Sequence, residues 1–396
     1  MLKSKEFESD EAFEEAFKLE ANVLRAMKSL KTPHLIQTIA CYRKGKEHCF
    51  VFPWAESGNL RDYWKKHDRL SQKERLSPGY LRWVFRQLQG LAEGINLLHS
   101  EIIRHGDLKP ENILCFSDPQ SDSKGVPTSC ILVIADAGLA KVNYQATQLR
   151  TRATIGPKGG TLMYEPPEAE VAIDQPVSRR YDVWSMGCIS LEFLIWLLYG
   201  ESGLNSFREQ LGQSGKFYEP RWSKDELRVT GAGPQPTVER WIKSIRDLPF
   251  SEGDRNPLGR LIRLIDKKLL VHSLGTPIRL PPRPSRDTLG VTLGVDIGGA
   301  ARAPVGHNPI TRARRTDTAA VMGATTFDLP SGSRLTSDKM LDEFKEILKD
   351  KKSFDFPAEA LARSEQSLQL PSDTRAETDS LSPPIGNPGV RNNHTP

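Results

Sequence analysis

Cysteine is scarce. Five residues (Cys41, Cys49, Cys115, Cys130 and Cys188) occur in 396, odd in number, far apart and with no CxxC pair. That excludes a disulfide framework and a cysteine-type zinc site, and it fits a reducing, intracellular compartment. Charge of one sign is nearly lacking in excess. Lys+Arg number 55 against 50 Asp+Glu, a net +5, too slight to select nucleic acid or an anionic membrane surface. The first residues, MLKSKEFESDEAFEEAF, hold no apolar core of the kind a signal peptide needs. The most apolar run, 183–199, carries Ser185, Ser190 and Glu192 and falls short of a membrane span. No internal repeat is present. The expectation is a soluble intracellular protein, cytoplasmic or nuclear, with no nucleic-acid partner and no membrane span, and with an oligomeric state that composition leaves open.

Apolar residues make up only 38% of the chain, so part of it is expected to lie outside any packed core. Phe13, Phe17, Glu20, Leu24 and Met27 recur at helical spacing. Glu20 lies inside that apolar stripe, and a carboxylate there asks for a cation from a neighbouring element. Residues 48–54 read as a strand, broken by Pro53 and then by Ser57-Gly58-Asn59. Leu81, Val84, Leu88, Leu91, Ile95 and Leu98 form a second helical stripe. Residues 113–116 and 130–135 are short β-like runs, joined by a loop rich in Ser, Asp, Gly and Pro. The 183–199 run is apolar on nearly every side, which suits a helix at the centre of an α-rich domain. Further helical stripes lie at 238–245 and 258–270.

Composition changes near His272. From there to Ser333 lysine is absent, and Pro, Gly, Ala, Thr and Arg dominate without a sustained period. Residues 272–332 are expected to be a disordered Pro/Arg-rich insertion. A short amphipathic helix then returns within 333–352, with Met340, Leu341, Phe344, Ile347 and Leu348 on one face and Thr336 or Ser337 placed to cap it. The polar stretch 353–396 is expected to be a disordered tail.

The chemistry concentrates at 105–114, His-Gly-Asp-Leu-Lys-Pro-Glu-Asn-Ile-Leu, between a long helix and a short strand. This loop offers a candidate base (Asp107), a cation (Lys109) and a hard amide oxygen (Asn112). Downstream, Asp136 in Ile-Ala-Asp-Ala-Gly adds a carboxylate at the end of a β-like run. One or two protein oxygens completed by substrate phosphates are what Mg²⁺ takes. Phosphoryl transfer needs mainly positioning and charge neutralisation. Taken singly, these residues also have plainer readings, since Asn112 and Asp136 could be turn residues at strand ends and Lys5 a solvated lysine. Their joint order is what favours the chemical reading.

The sequence resembles the protein kinase family of the Ser/Thr type. HGDLKPEN is similar to its catalytic loop, with Gly106 where most members have Arg. Asp136-Ala137-Gly138 is similar to the DFG metal loop, with Ala for Phe. Residues 160–168 (GTLMYEPPE) resemble the end of the activation segment, and 182–187 (DVWSMG) the start of the central large-lobe helix. A loop beginning HGD also occurs in small-molecule kinases of the aminoglycoside/choline type, but those lack the PPE and DVWSMG segments.

The resemblance implies an α+β, two-lobed fold with a truncated small β lobe (1–55) and a mainly α-helical large lobe (56–271, closed by the helix of 333–352), as in an N-terminally truncated, fungal-kinase-like member. It implies that ATP and Mg²⁺ are used and that the partner is a protein substrate. Asp107 would orient the substrate hydroxyl and Lys109 would stabilise the transferring phosphoryl. Asn112 and Asp136 would hold Mg²⁺. Glu20 would pair with a strand lysine that touches the ATP phosphates, with Lys5 the first candidate and Lys3 the alternative. The segment with Trp54 and Ala55 resembles the hinge, whose backbone binds adenine. The family further implies a large-lobe arginine on Glu168, assigned here to Arg334. Only four residues precede Lys5, so the Gly-rich phosphate loop has no counterpart in this sequence. The expected activity is therefore a protein Ser/Thr kinase, with a catalytically impaired pseudokinase scaffold as the alternative.

Overall fold

The computed structural model describes residues 10–44, 47–117, 128–136, 162–171, 178–222, 229–248, 256–272, 333–355 and 370–371. The first helix, α1 (Asp10–Ser29), buries Val23, Leu24 and Met27. It packs on an antiparallel hairpin, β1 (Ala40–Lys44) and β2 (Glu47–Val51). Phe17 stacks on Phe50 at 5.2 Å between ring centres and ties helix to hairpin. The segment between them docks onto a later strand, because Ile36 N–H donates to the Ile134 carbonyl and Ile134 N–H to the His34 carbonyl, each at 2.9 Å. His34 then sits against Gly90, where an added Cβ would fall 2.0 Å from the ring. Glycine is required there by close approach. Burial keeps the His34 pKa low, and the neutral ring donates from Nδ1 to the Leu132 carbonyl at 2.7 Å.

The remaining helices build a larger, mainly α-helical part. Helix α2 (Leu60–Lys66) starts at a reciprocal cap between Asn59 and Asp62. A short α3 (Gln72–Arg75) leads into α4 (Pro78–Ser100). The expected stripe of α4 is fully buried at every position from Leu81 to Leu98. A second antiparallel hairpin, β3 (Ile113–Ser117) with β4 (Cys130–Ile134), lies on α4. A one-turn α5 (Glu168–Val171) precedes the central α6 (Arg180–Gln210). The apolar window of α6 is long enough to cross a membrane, yet 94% of it is buried inside the protein. It is the core helix.

Helix α6 changes direction at Gly200 (φ +70°, ψ −166°), a conformation open to glycine alone. The break exposes backbone groups that side chains then satisfy. Arg75 Nε donates to the Leu197 carbonyl at 3.1 Å and Gln72 Nε2 to the Leu198 carbonyl at 2.8 Å. Asp68 Oδ1 accepts the Glu201 N–H at 2.7 Å.

A third hairpin, β5 (Tyr218–Trp222) with β6 (Val229–Pro234), follows α6 and is not evident in the sequence. Pro220 and the Gly231–Gly233 spacing obscure its alternation. Then come α7 (Pro236–Arg246), α8 (Pro257–Leu264), which continues through a π-turn (Ile265–Leu269), and α9 (Ser337–Lys349), which packs on α4. The expected α+β class holds, with helices dominant and strands confined to three small sheets among the described residues.

Two details differ from expectation. Thr336 occupies the N-cap position of α9, but its side chain makes no capping bond; the Ser337 hydroxyl instead donates to Asn96 Oδ1 at 3.1 Å. Packing also runs past residue 352. Phe354 is fully buried, edge-on to Phe85 at 5.4 Å, and Arg82 pairs with Asp355 at 2.7 Å. Within the stretch expected to be a disordered tail, the Pro371 carbonyl accepts from Gln210 Nε2 at 3.0 Å. Residues 273–332 lie outside the described part, as do Lys3, Lys5 and the expected strand around them.

Candidate active site

The loop after α4 is hung from Asp182 in the first turn of α6. Asp182 is fully buried and accepts three N–H groups: His105 backbone at 2.9 Å, Gly106 backbone at 2.8 Å and His99 Nε2 at 2.8 Å. Burial alone would push this carboxyl up. The His99 hydrogen bond, the nearby imidazoles and the Gly106 N–H outweigh it and hold the pKa below the usual carboxylate value. The buried His105 ring completes the support, with Nε2 on the Ala135 carbonyl at 2.9 Å and Nδ1 facing the Asp107 N–H at 3.3 Å. That pattern assigns the proton to Nε2. Gly106 has φ +79°, a left-handed conformation that a side chain would strain.

The loop then presents its polar groups to one another. Asp107 Oδ2 accepts Lys109 Nζ at 2.8 Å and Asn112 Nδ2 at 3.1 Å. Asn112 Nδ2 also reaches the Asp107 carbonyl at 2.8 Å. The Asp107 side chain is 10% exposed and that of Lys109 18%. Pro110 opens a 3₁₀ turn (Pro110–Asn112) closed by Asn112 N–H on the Lys109 carbonyl at 2.9 Å. This turn delivers Asn112 to the start of β3.

Strand register brings the second carboxylate alongside. Ile113 pairs with Ile134, and Ala135 N–H donates to the Asn112 carbonyl at 2.8 Å. Asp136 therefore emerges next to Asn112, exposed, with φ +57°. Such an angle in a non-glycine residue is costly and recurs at functional sites. With Nδ2 engaged by Asp107, Oδ1 is the oxygen Asn112 has left for a cation. Asn112 and Asp136 thus offer hard oxygen donors of the type Mg²⁺ takes. Among the described residues no cluster of three or more His, Cys, Asp or Glu forms a metal site, and Mg²⁺, completed by waters and substrate phosphates, does not require one.

The other expected residues fall as follows. Trp54 is 84% exposed just past β2. The Ala55 carbonyl accepts the Gly58 N–H at 3.2 Å. This segment is fixed to the β3–β4 hairpin, because Ser57 N–H donates to the Cys115 carbonyl at 3.3 Å and Cys115 N–H to the Gly58 carbonyl at 2.9 Å. Glu20 lies within α1, but its side chain and Lys5 are outside the described part. The expected Arg334–Glu168 pair is present and bidentate, at 2.6 and 3.1 Å, with the guanidinium 4.8 Å from the Trp184 ring centre. Sequence reasoning did not assign roles to Asp182, His99 or Arg61. The one available signal was Asp182 itself, a carboxylate opening an apolar helix.

The protein kinase domain family matches residues 2–225. The chain belongs to the protein kinase family. It is similar to a calcium/calmodulin-dependent protein kinase type 1 of Macrobrachium nipponense, 27% identical over 205 residues (51% of this chain, 52% of the relative). It is also similar to a probable myosin light chain kinase of Dictyostelium discoideum, 30% identical over 240 residues (55% and 43%). A third relative is serine/threonine-protein kinase 33 of Bos taurus, 28% identical over 188 residues (47% and 35%). The chain spans about half or less of the length of these relatives.

Proposed function

We propose that this chain is a protein serine/threonine kinase that transfers the γ-phosphate of ATP to Ser or Thr hydroxyls of a protein substrate in a Mg²⁺-dependent reaction. The arrangement of Asp107, Lys109 and Asn112 on one loop, registered against Asp136, carries this reading. In the transfer, a bond forms between the substrate oxygen and the γ-phosphorus, the bond to the ADP oxygen breaks, and the hydroxyl proton is released. Asp107, held in place by two donors, orients that hydroxyl and takes its proton. Lys109 sets a cationic charge beside the base, where it offsets charge on the transferring group. Asn112 and Asp136 would hold Mg²⁺, which when bound neutralises phosphate charge. By resemblance, Lys5 paired with Glu20 would hold the ATP phosphates, and the backbone at Trp54 and Ala55 would meet adenine.

The test is turnover with Mg-ATP and a mixed protein substrate. Asp107→Ala and Asp136→Ala should each lower it by roughly 100-fold or more, with thermal stability nearly unchanged for the exposed Asp136. Near-parental turnover in either variant contradicts the assignment. A parent with no turnover and no Mg-ATP-dependent rise in Tm supports the scaffold reading instead.

A further inference from the structure

A chain of charged groups runs beside the catalytic loop. Arg61 on α2 donates from Nε to Glu111 Oε1, and from Nη2 to the Tyr164 hydroxyl at 3.1 Å. The Tyr164 hydroxyl in turn donates to Glu192 Oε2 at 2.7 Å. Arg208 Nε closes the far end on Glu192 Oε1 at 2.8 Å. Glu192 is fully buried, whereas the Arg61 and Glu111 side chains are 22% and 37% exposed. The exposed end thus lies on the same loop as Asp107, with Glu111 two residues past Lys109.

We infer that Arg61 is a specificity-determining residue: it occupies from within the chain the acidic position that a basic side chain of a protein substrate would otherwise fill. The inference rests on the kinase reading above. A polypeptide whose hydroxyl reaches Asp107 must run past this loop. Apart from Asp107, Glu111 is the only carboxylate of the 105–114 loop, with Glu192 behind it. Two carboxylates there are matched by two internal guanidinium groups, so no net negative charge is left to attract a cation. Neither oxygen of Glu111 is open to a substrate while Arg61 is in place: Oε1 is held by Arg61, and Oε2 is buried with no hydrogen-bond partner among the described residues. A substrate arginine approaching this carboxylate meets the positive charge of Arg61 on it. Repulsion of like charges at such range discriminates against it. Removing Arg61 leaves Glu111 charged, half-exposed and free to pair with the substrate.

The experiment compares peptides carrying a single Arg at each position flanking the phosphoacceptor with their Gln counterparts, by kcat/KM and separately by binding in fluorescence anisotropy. The wild type should show no preference for Arg at any position. Arg61→Met should favour Arg at one position by about tenfold, a change of ~1.4 kcal/mol. Arg61→Lys should keep the wild-type ratio, and adding Glu111→Gln to Arg61→Met should abolish the gain. A tenfold Arg preference in the wild type overturns the inference, as does a folded Arg61→Met variant with unchanged ratios. The wild-type measurement decides even where Arg61→Met does not fold. Absent turnover with intact binding ratios counts against the kinase reading and leaves this inference standing on the anisotropy result.

Discussion

Asp182 accepts the backbone N–H of Gly106 at 2.8 Å, across 76 residues of sequence. One buried carboxylate thereby sets the height of the 105–112 loop over α6. Asp182→Asn turns an amide donor toward groups that already donate. We expect a loss of about 3 kcal/mol in urea unfolding, since a buried donor is left without an acceptor. A loss below ~1 kcal/mol would show that the loop is held elsewhere. The depressed pKa adds a sign: this contribution is present above the ordinary carboxylate range and fades as pH falls through the folded value.

Gly106 has no side chain with which to grip a phosphate. A guanidinium at that position would give charge-assisted bonds to a phosphorylated activation segment. We expect activity to be independent of phosphorylation at Thr147, Thr151 and Thr154. Phosphatase treatment, and Thr→Ala changes at the three sites, should alter the rate by less than tenfold, ~1.4 kcal/mol in the barrier.

Gly200→Ala should destabilise the protein by about 1–3 kcal/mol, the cost of a residue held in a glycine-only conformation. The new Cβ would also lie 2.8 Å from Asp68 Oδ1. Adding Asp68→Ala relieves the clash but leaves the strained backbone and removes the acceptor of the Glu201 N–H, so the double variant should stay below the parent in thermal unfolding.

His67 supplies a pH dependence. Burial first, then the charges of Lys66 and Arg69, lower its pKa to about 4. Its Nδ1 is buried without a partner among the described residues. The unfolded chain binds a proton near pH 6.5, where the folded protein still resists it. Stability from this residue is complete above pH ~6.5 and is lost as pH falls from there toward about 4. His67→Gln should flatten the decline of Tm between those limits, and an unchanged slope would assign it to other groups such as His34.

The flanks of the Pro/Arg-rich stretch already meet. Arg334 Nε donates to the Val271 carbonyl at 3.0 Å, and Leu335 N–H to the Lys268 carbonyl at 3.1 Å. Replacing 275–331 by a short Gly/Ser linker should leave Tm unchanged or higher, because closing a shorter loop costs less entropy. His272 is retained because it packs edge-on against Trp184 at 5.4 Å. A loss of several kcal/mol would show that the excised stretch packs into the fold.

Local periodicity was enough to place the helices that carry a single apolar stripe. Leu81, Val84, Leu88, Leu91, Ile95 and Leu98 repeat at helical spacing, and each is fully buried in α4. Strand β1 was not legible, since all five of its residues are exposed and show no alternation. The order of the loop at 105–112 and the carboxylate at Asp136 is a property of the sequence, and residue types in that order point to phosphotransfer without any knowledge of how the loop is held. Thr336 shows the limit of local rules, because the Ser337 hydroxyl beside it turns to Asn96, 241 residues away.

The sequence by itself determined which groups the 105–112 loop carries and which helices bury a face, because both depend on neighbours within a few residues. Only the tertiary structure decided how those groups are held. Asn112 and Asp136 lie side by side through the register of β3 on β4, and the loop stands on Asp182 because α6 buries that carboxylate under it. Arg61 reaches Glu111 because α2 packs beside the 3₁₀ turn. Each of these joins groups far apart in sequence, and for the fully buried Asp182 an unmatched partner would be costly in the low-dielectric interior. That cost is felt only once the chain is folded, so it leaves no periodic trace in the sequence.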